Sequence, residues 1–245
     1  ITEVGTPYSD LSATATDACD GDLTGAIVTA NPVDEFTPVG EYFVTYDVVD
    51  GAGNPAATVQ RTVYVVDPAL PYVEQVQVIN PTTIRVTFNN DMGGDDTTPS
   101  DYTLSGTGQG TLSPNPIGVV PFDPFSYDLS WPGCPELMTD GGDITITVAP
   151  TITDITPNPV TIPFARTHFG GGIATPPVIT LLGTDPVTVE CGDTYTDAGA
   201  TAADDCGTDI TASIITVNPV DTGIVGSYTI NYNVNDAAGN SAAEV

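Results

Sequence analysis

The sequence contains no lysine and only three arginines, Arg61, Arg85 and Arg166, against 32 acidic residues, so its formal net charge is -29. A chain this acidic repels the phosphate backbone of nucleic acids and the anionic surface of membranes, and we expect neither as a partner. No apolar run approaches the roughly 20 residues that span a bilayer, so we expect no membrane insertion. No secretory signal is present, and we interpret the chain as a mature or excised part of a longer protein.

Groups for catalysis are also scarce. His168 is the only histidine, and there is no G-x-S-x-G motif, which leaves no catalytic triad to activate a nucleophile. The absence of a C-x-x-C pair argues against redox chemistry, and a lone histidine argues against a zinc site. Paired carboxylates could serve a glycosidase, but here they lie in turn motifs that recur along the chain. We therefore expect no enzymatic activity.

The residues that are present predict an all-β protein. Short runs of Thr, Val, Ile and Tyr alternate with small polar residues, and Gly, Pro, Asp and Asn bound each run, which is typical of half-buried strands. The 25 glycines and 22 prolines are spread along the chain at turn positions, a distribution that favours β-sandwiches. The clearest runs are EYFVTYDVV (41–49), RTVYVVD (61–67), TIRVTF (83–88), DITITV (143–148) and SYTINYNV (227–234).

An internal repeat predicts the domain organisation. Residues 1–24 align with 188–211 without a gap, and VGEYFVTYDVVDGAGNPAATV (39–59) aligns with VGSYTINYNVNDAAGNSAAEV (225–245). We therefore predict three tandem sandwiches, named here the first module (1–68), the middle segment (69–176) and the second module (177–245). The first module has no counterpart of PPVITLLGTDP (176–186), and the second has none of QRTVYVVD (60–67). Each module is thus predicted to lack one edge strand.

These motifs resemble bacterial immunoglobulin-like (Ig-like) surface repeats, namely the Cry22-type and hyalin-repeat-like modules of secreted proteins. The resemblance covers nearly all of both modules, and the D-x-AGN hairpin (50–54 and 236–240) is its most specific part. The middle segment is more loosely similar to S-layer and adhesin-type Ig-like domains through TTIRVTFNNDM (82–92), SDYTLSG (100–106) and ITITVAPTITD (144–154). There, TDITPNPV (153–160) replaces the usual D-x-x-GN ending.

The resemblance also implies a disulfide between Cys191 and Cys206, because related modules commonly carry this pair and the bond would close a short loop. An oxidising, extracellular setting would follow. Val4 stands in the first module where Cys191 stands in the second, so Cys19 has no local mate, and Cys134 in WPGCPEL is also alone. We expect Cys19 and Cys134 to be either free and buried or bonded between chains.

The aspartate-rich loops have two interpretations. Asp, Asn and Gly form turns by themselves, but the loops between strands B and C and between F and G lie at the same end of an Ig-like sandwich, where side-chain oxygens could hold calcium. The candidate ligands in the first module are Asp17, Asp20, Asp22, Asp50 and Asn54. A weaker cluster in the second module comprises Asp204, Asp205, Asp209, Asp236 and Asn240. No EF-hand spacing supports either cluster.

The expected function is that of a structural module in a secreted, multi-domain cell-surface protein or extracellular filament. Its expected partners are copies of itself or neighbouring repeats of a longer chain, which would cover the open sandwich edges end to end. The alternatives are an adhesin that binds a glycan or host protein, and a phage or virion fibre domain. An aromatic platform would favour the adhesin, whereas strand pairing between chains would favour the filament.

Overall fold

The computed structural model describes residues 1–94, 96–134 and 137–245. Within these ranges the chain is almost wholly β, which confirms the predicted class, and its helices are single 3-10 turns at Thr24–Ala26, Pro99–Asp101 and Thr211–Ser213. None of the helices in the described ranges has the length and apolar character needed to cross a membrane. The strands are β1 (Thr2–Glu3), β2 (Thr16–Asp17), β3 (Gly21–Asp22), β4 (Val28–Ala30), β5 (Gly40–Asp47), β6 (Val59–Val66), β7 (Val73–Asn80), β8 (Thr83–Phe88), β9 (Tyr102–Ser105), β10 (Gly118–Asp123), β11 (Ser126–Ser130), β12 (Ile144–Val148), β13 (Ala165–His168), β14 (Val178–Leu181), β15 (Ala200–Ala203), β16 (Ile215–Val217) and β17 (Asn231–Asn233).

The first module is built on one four-stranded sheet in the order β1-β6-β5-β4. Strands β5 and β6 pair antiparallel along most of their length, and β1 adds to the far edge of β6 in parallel. The alternation predicted for these runs puts one face of the sheet inward. The buried cluster on that face comprises Val33, Val44, Tyr46, Val63 and Val65.

The middle segment has two sheets, β10-β11-β8-β7 and β13-β12-β9, and by far the largest core of the described chain. Twenty buried residues form this core. Trp131 is one of them, as expected for the only tryptophan, and its indole Nε1 donates to the carbonyl of Ser113 at 2.8 Å. The TDITPNPV ending keeps the aspartate–asparagine hydrogen bond of the hairpin it replaces, because Asp154 Oδ1 accepts from the backbone N–H of Asn158. The sequence difference therefore keeps the contact between the aspartate and the asparagine, but Pro157 has no N–H to replace the bond that Gly53 donates to the carbonyl of Asp50.

The second module has a smaller core and shorter strands. Strand β14 pairs with β15 and β16 pairs with β17, around a buried cluster of Ile179, Ala202, Tyr232 and Val234. Of the predicted strand 227–234, only β17 forms a ladder. In the first module, residues 40–44 pair with residues 61–65, and nothing in residues 177–245 occupies the place of that partner. A strand segment without a partner has no ladder to join.

The repeated modules share specific contacts as well as sequence. Tyr46 donates its hydroxyl to Asp10 at 2.6 Å, and the equivalent Tyr232 donates to Asp197 at 2.5 Å. Burial and this hydrogen bond raise the pKa of both tyrosines to about 12. The hydrogen bond from Tyr232 lowers the pKa of Asp197 in turn. The same tyrosine–aspartate contact therefore ties β5 to the segment before β2 in the first module and β17 to the segment before β15 in the second.

Candidate functional site

The acidic loop of the first module is a turn held by its own aspartates. Asp17 Oδ1 accepts from the backbone N–H groups of Cys19 and Asp20 at 2.7 and 2.9 Å. Those hydrogen bonds, the one from Asp20 first, lower the pKa of Asp17. Asp22 likewise accepts from Thr24, whose hydrogen bonds lower the pKa of Asp22. Asp side chains that cap nearby backbone N–H groups are standard turn formers.

The D-x-AGN hairpin of the first module is likewise held by hydrogen bonds to its own aspartate. Asn54 donates its side-chain amide to Asp50 Oδ2 and its backbone N–H to Asp50 Oδ1, both at 2.7 Å. These hydrogen bonds, the side-chain one first, lower the pKa of Asp50. Gly53 has a φ of 91°, a backbone conformation that side-chain-bearing residues rarely adopt, which explains the glycine in this motif.

The structure brings the two loops together, as the Ig-like topology predicts. Gly51 donates its backbone N–H to Asp20 Oδ2 at 2.8 Å, across 31 residues of sequence. A Cβ added at Gly51 would lie 3.1 Å from that oxygen. In the second module Ala237 carries the Cβ, and Gly207 stands where Asp20 would crowd it. The paired exchange between the repeats therefore has a steric cause.

Calcium binding by these loops stays a prediction. The described residues contain no group of three or more His, Cys, Asp or Glu side chains arranged to hold a metal ion. In the weaker cluster, Asp204 Oδ1 accepts from the N–H of Thr208 at 2.7 Å and Asp209 Oδ1 from the N–H of Thr211 at 2.9 Å. These contacts are accounted for by turn formation.

The disulfide predicted from the resemblance is wrong in this structure. Cys206 is bonded to Cys134 of the middle segment, with the Cα atoms 5.4 Å apart and 72 residues between them in sequence. Cys191 and Cys19 are exposed free thiols. The physical reason is that the acidic loop of the second module faces the middle segment, which places Cys206 within bonding distance of Cys134. The prediction that Cys134 is free and buried or bonded between chains is therefore also wrong. For Cys19 the buried alternative is wrong because its thiol is exposed, whereas an interchain role stays a prediction.

Three hydrogen bonds accompany this disulfide. Asn240 donates its side-chain amide to the carbonyl of Met138 at 3.0 Å and accepts from the backbone N–H of Asp140 at 2.7 Å. Thr139 donates its hydroxyl to the carbonyl of Ala238 at 2.7 Å. The first and last residues of this hairpin are buried, with Asp236 at 7% and Asn240 at 5% exposure. This hairpin and Cys206 together form a docking surface between the middle segment and the second module, which the sequence did not indicate.

A groove in the first module is a second feature that the sequence did not reveal. It is a cavity of about 460 Å³ between the segment Ala13–Asp17, strand β5 and the hairpin that follows it. In the second module, strand β14 covers the equivalent place, with Ile179 facing Ala202 in an antiparallel pair. Seven groove-lining residues are the counterparts of residues that cluster with Ile179. They are Ala13, Ala15, Leu23, Ile27, Tyr46, Val48 and Ala56, matching Ala200, Ala202, Ile210, Ile214, Tyr232, Val234 and Ala242.

Two of these positions are more buried in the second module, where β14 covers them, than in the first module. Val234 is 3% exposed and Ala202 is 4% exposed, beneath Ile179. Their counterparts Val48 and Ala15 are only half-buried. These two positions thus belong to a closed core in the second module and line an open groove in the first, whereas Tyr46 at 5% exposure is as buried as Tyr232 at 4%. Within residues 1–68, all of which the structure describes, no strand occupies the position of β14.

Comparison with known proteins agrees with this architecture at both ends. The model of the family described as bacterial surface protein, Ig-like domain matches residues 1–65 and 179–245. A solved structure titled the N-terminal part of the bacterial S-layer protein SbsC is similar at a TM-score of 0.31 and 16% identity, covering 72% of this chain. The chain spans 43% of that structure's length. A comparison with curated proteins found no match.

Proposed function

The chain belongs to the family of bacterial surface protein Ig-like domains, and we propose that it is a structural module whose first sandwich is completed by an extended strand from a neighbouring domain or chain. The role is structural rather than enzymatic, and the place is the cell surface or an extracellular filament. The observation that carries the proposal is the groove of the first module, which repeats the surroundings of Ile179 without an equivalent of Ile179.

The chemistry of the groove defines the strand that fits it. In the second module the occupant is Val178–Leu181, an uncharged segment that pairs antiparallel with β15 and inserts one isoleucine into the core. Burying a side chain of that size contributes about 1.5–3 kcal/mol, in addition to the new backbone hydrogen bonds. An uncharged strand also avoids repulsion from a chain whose net charge is -29. The strand that fits the groove is therefore an apolar, extended segment.

A peptide can test this complementation directly. The peptide PVITLLG, corresponding to residues 177–183, is added to the isotope-labelled 245-residue chain, and backbone amide shifts are followed by NMR. We expect saturable shifts at Ala13–Thr16 and at Val48. A peptide with Ile179→Asp is the matched control, because it keeps the backbone donors and loses the side chain that fills the groove.

The proposal also predicts association of the chain. Unpaired strand edges on an open sandwich are surfaces for pairing with another chain. Light scattering should show a molar mass that grows with concentration, and excess peptide should reduce that growth. Absence of peptide shifts at the groove, together with a concentration-independent monomer that melts cooperatively, would show that no outside strand is required.

A further inference from the structure

The two modules present similar surfaces at the end that carries the acidic loop and the D-x-AGN hairpin, although Asp20 and Gly51 stand in the first where Gly207 and Ala237 stand in the second. We name this surface the leading end; it comprises Cys19 and residues 50–54 in the first module, and Cys206 and residues 236–240 in the second. The repeat aligns Cys19 with Cys206, Ala52 with Ala238 and Asn54 with Asn240. Every residue that binds the middle segment from the second module therefore has an identical counterpart in the first.

In the second module the leading end is occupied by Cys134 and residues 138–140 of the middle segment. Met138 belongs to the large middle core, and Thr139 donates its backbone N–H to the carbonyl of Gly108 at 3.0 Å, so the loop is anchored to its own domain. It offers four groups to the leading end: the sulfur of Cys134, the carbonyl of Met138, the hydroxyl of Thr139 and the N–H of Asp140.

In the first module the leading end is exposed, and it carries a free thiol and an exposed asparagine side chain. Cys19 is an exposed free thiol. Asn240 donates its amide both to Asp236 and to Met138, whereas exposed Asn54 makes only the equivalent contact with Asp50. The hairpin geometry is nevertheless the same, since the N–H of Asp50 and that of Asp236 each donate to the carbonyl of the paired asparagine at 3.0 Å. The surface is thus preformed before any partner arrives.

We propose that the leading end of the first module binds a loop of the Cys134–Asp140 kind, carried by a neighbouring domain of the middle-segment class, and that Cys19 forms a disulfide with the cysteine of that loop. The partner loop has a recognisable chemistry: a cysteine, a backbone carbonyl four residues later, then a threonine hydroxyl, then a backbone N–H. This site is separate from the strand-accepting groove and can be tested apart from it.

The covalent step is a thiol–disulfide exchange that needs no further oxidant. The Cys19 thiolate attacks the partner sulfur, which is held in a mixed disulfide with a small thiol such as glutathione. One S–S bond forms, the other breaks, and the small thiol leaves as a thiolate with the electron pair. Oxidising extracellular conditions keep such disulfides available.

The test uses a peptide of the sequence WPGCPELMTDG, residues 131–141, supplied as its glutathione mixed disulfide to the 245-residue chain in a glutathione buffer. Peptide mapping by mass spectrometry measures the equilibrium occupancy of Cys19 and of Cys191. Cys191 is the internal control, because it is the other exposed free thiol of the described chain and has no docked counterpart. We expect occupancy at Cys19 to exceed that at Cys191 by about tenfold.

Two comparisons separate docking from simple thiol reactivity. A scrambled peptide with the same cysteine should lose the preference for Cys19, and so should the native peptide with the Asn54→Ala chain. Circular dichroism of that variant confirms that the modules stay folded. Equal occupancy of the two thiols, or a preference that survives both the scrambled peptide and Asn54→Ala, would overturn the proposal.

Discussion

Replacing Cys206 by serine should destabilise the second module far more than any other part of the chain. The bond it removes joins Cys134 to Cys206 across 72 residues of sequence. In the chain-entropy description, a closed loop of that length is worth about 4 kcal/mol. The substitution also loosens the docking surface, where three hydrogen bonds each contribute about 1 kcal/mol.

The loss falls on the second module because its own core is thin. Only Ile179, Ala202, Tyr232 and Val234 form its buried cluster, against twenty buried residues in the middle segment. Burial in a cluster that small exceeds the conformational entropy cost of ordering about 70 residues by only a small margin, so the second module has a low free energy of unfolding. We therefore expect the second module to unfold in a separate, earlier transition, while the middle segment keeps its melting behaviour.

Differential scanning calorimetry and hydrogen exchange measure these two transitions separately. Amides of Ala202 and Tyr232 should lose protection in Cys206→Ser, and the same loss should follow when the unaltered chain is treated with a reductant. Cys191→Ser is the matched control and should melt like the parent chain. Equal stability of the Cys206→Ser variant would refute the reasoning, and equal damage from Cys191→Ser would restore the Cys191–Cys206 pairing.

Three further outcomes are expected. Ile179→Ala should destabilise the second module by about 2–5 kcal/mol in urea unfolding, whereas Val178→Ala, at an exposed neighbouring position, should change little. Burial raises the pKa of Asp154, but hydrogen bonds from Asn158 and Thr156 outweigh it and lower that pKa to about 2. Because the folded-state pKa lies below the unfolded value of 3.8, ionised Asp154 stabilises the fold above about pH 4, and this stabilisation is lost as the pH falls through about 2. Its size is on the order of 2 kcal/mol. Free energies of unfolding measured over a pH series should show this loss in the parent chain and not in Asp154→Asn. If the predicted calcium site exists, calcium at low ionic strength raises the melting temperature of the first module relative to a chelator, and identical melts would contradict it.

The longer predicted strands formed because their runs carry their own alternating pattern. TIRVTF became β8, and EYFVTYDVV differs from β5 by one or two residues at each end. The prediction for 227–234 failed in length, because a ladder depends on a partner as well as on local pattern. Local signals therefore gave the element type, and pairing partners decided its extent.

The disulfide could not be read from resemblance alone. Cys191 and Cys206 lie in one module with a plausible spacing, but bonding depends on which side of the acidic loop faces another domain. The repeat did contain a usable signal: Cys19 and Cys206 align, whereas Cys191 aligns with Val4. The cysteine position shared by both modules, Cys19 and Cys206, is poorly explained by a bond within one module, because Cys191 is found in the second module only. Weighing the shared position more heavily would have pointed to Cys134.

The groove and the leading end would, if both are occupied, give the assembly a direction. In the second module, strand β14 follows the middle segment in the chain, and the Cys134 loop docks on the same module from the same segment. A neighbour of that class could supply both parts to the first module in the same arrangement. Such contacts join unlike surfaces, a donor and an acceptor, so they repeat along an axis instead of closing as a symmetric pair. The two proposals therefore make a joint prediction for the chain mixed with a neighbour of that class whose loop and strand are unoccupied: blocking Cys19 and filling the groove should each shorten the same linear assemblies, measured by light scattering, and should not convert them into dimers.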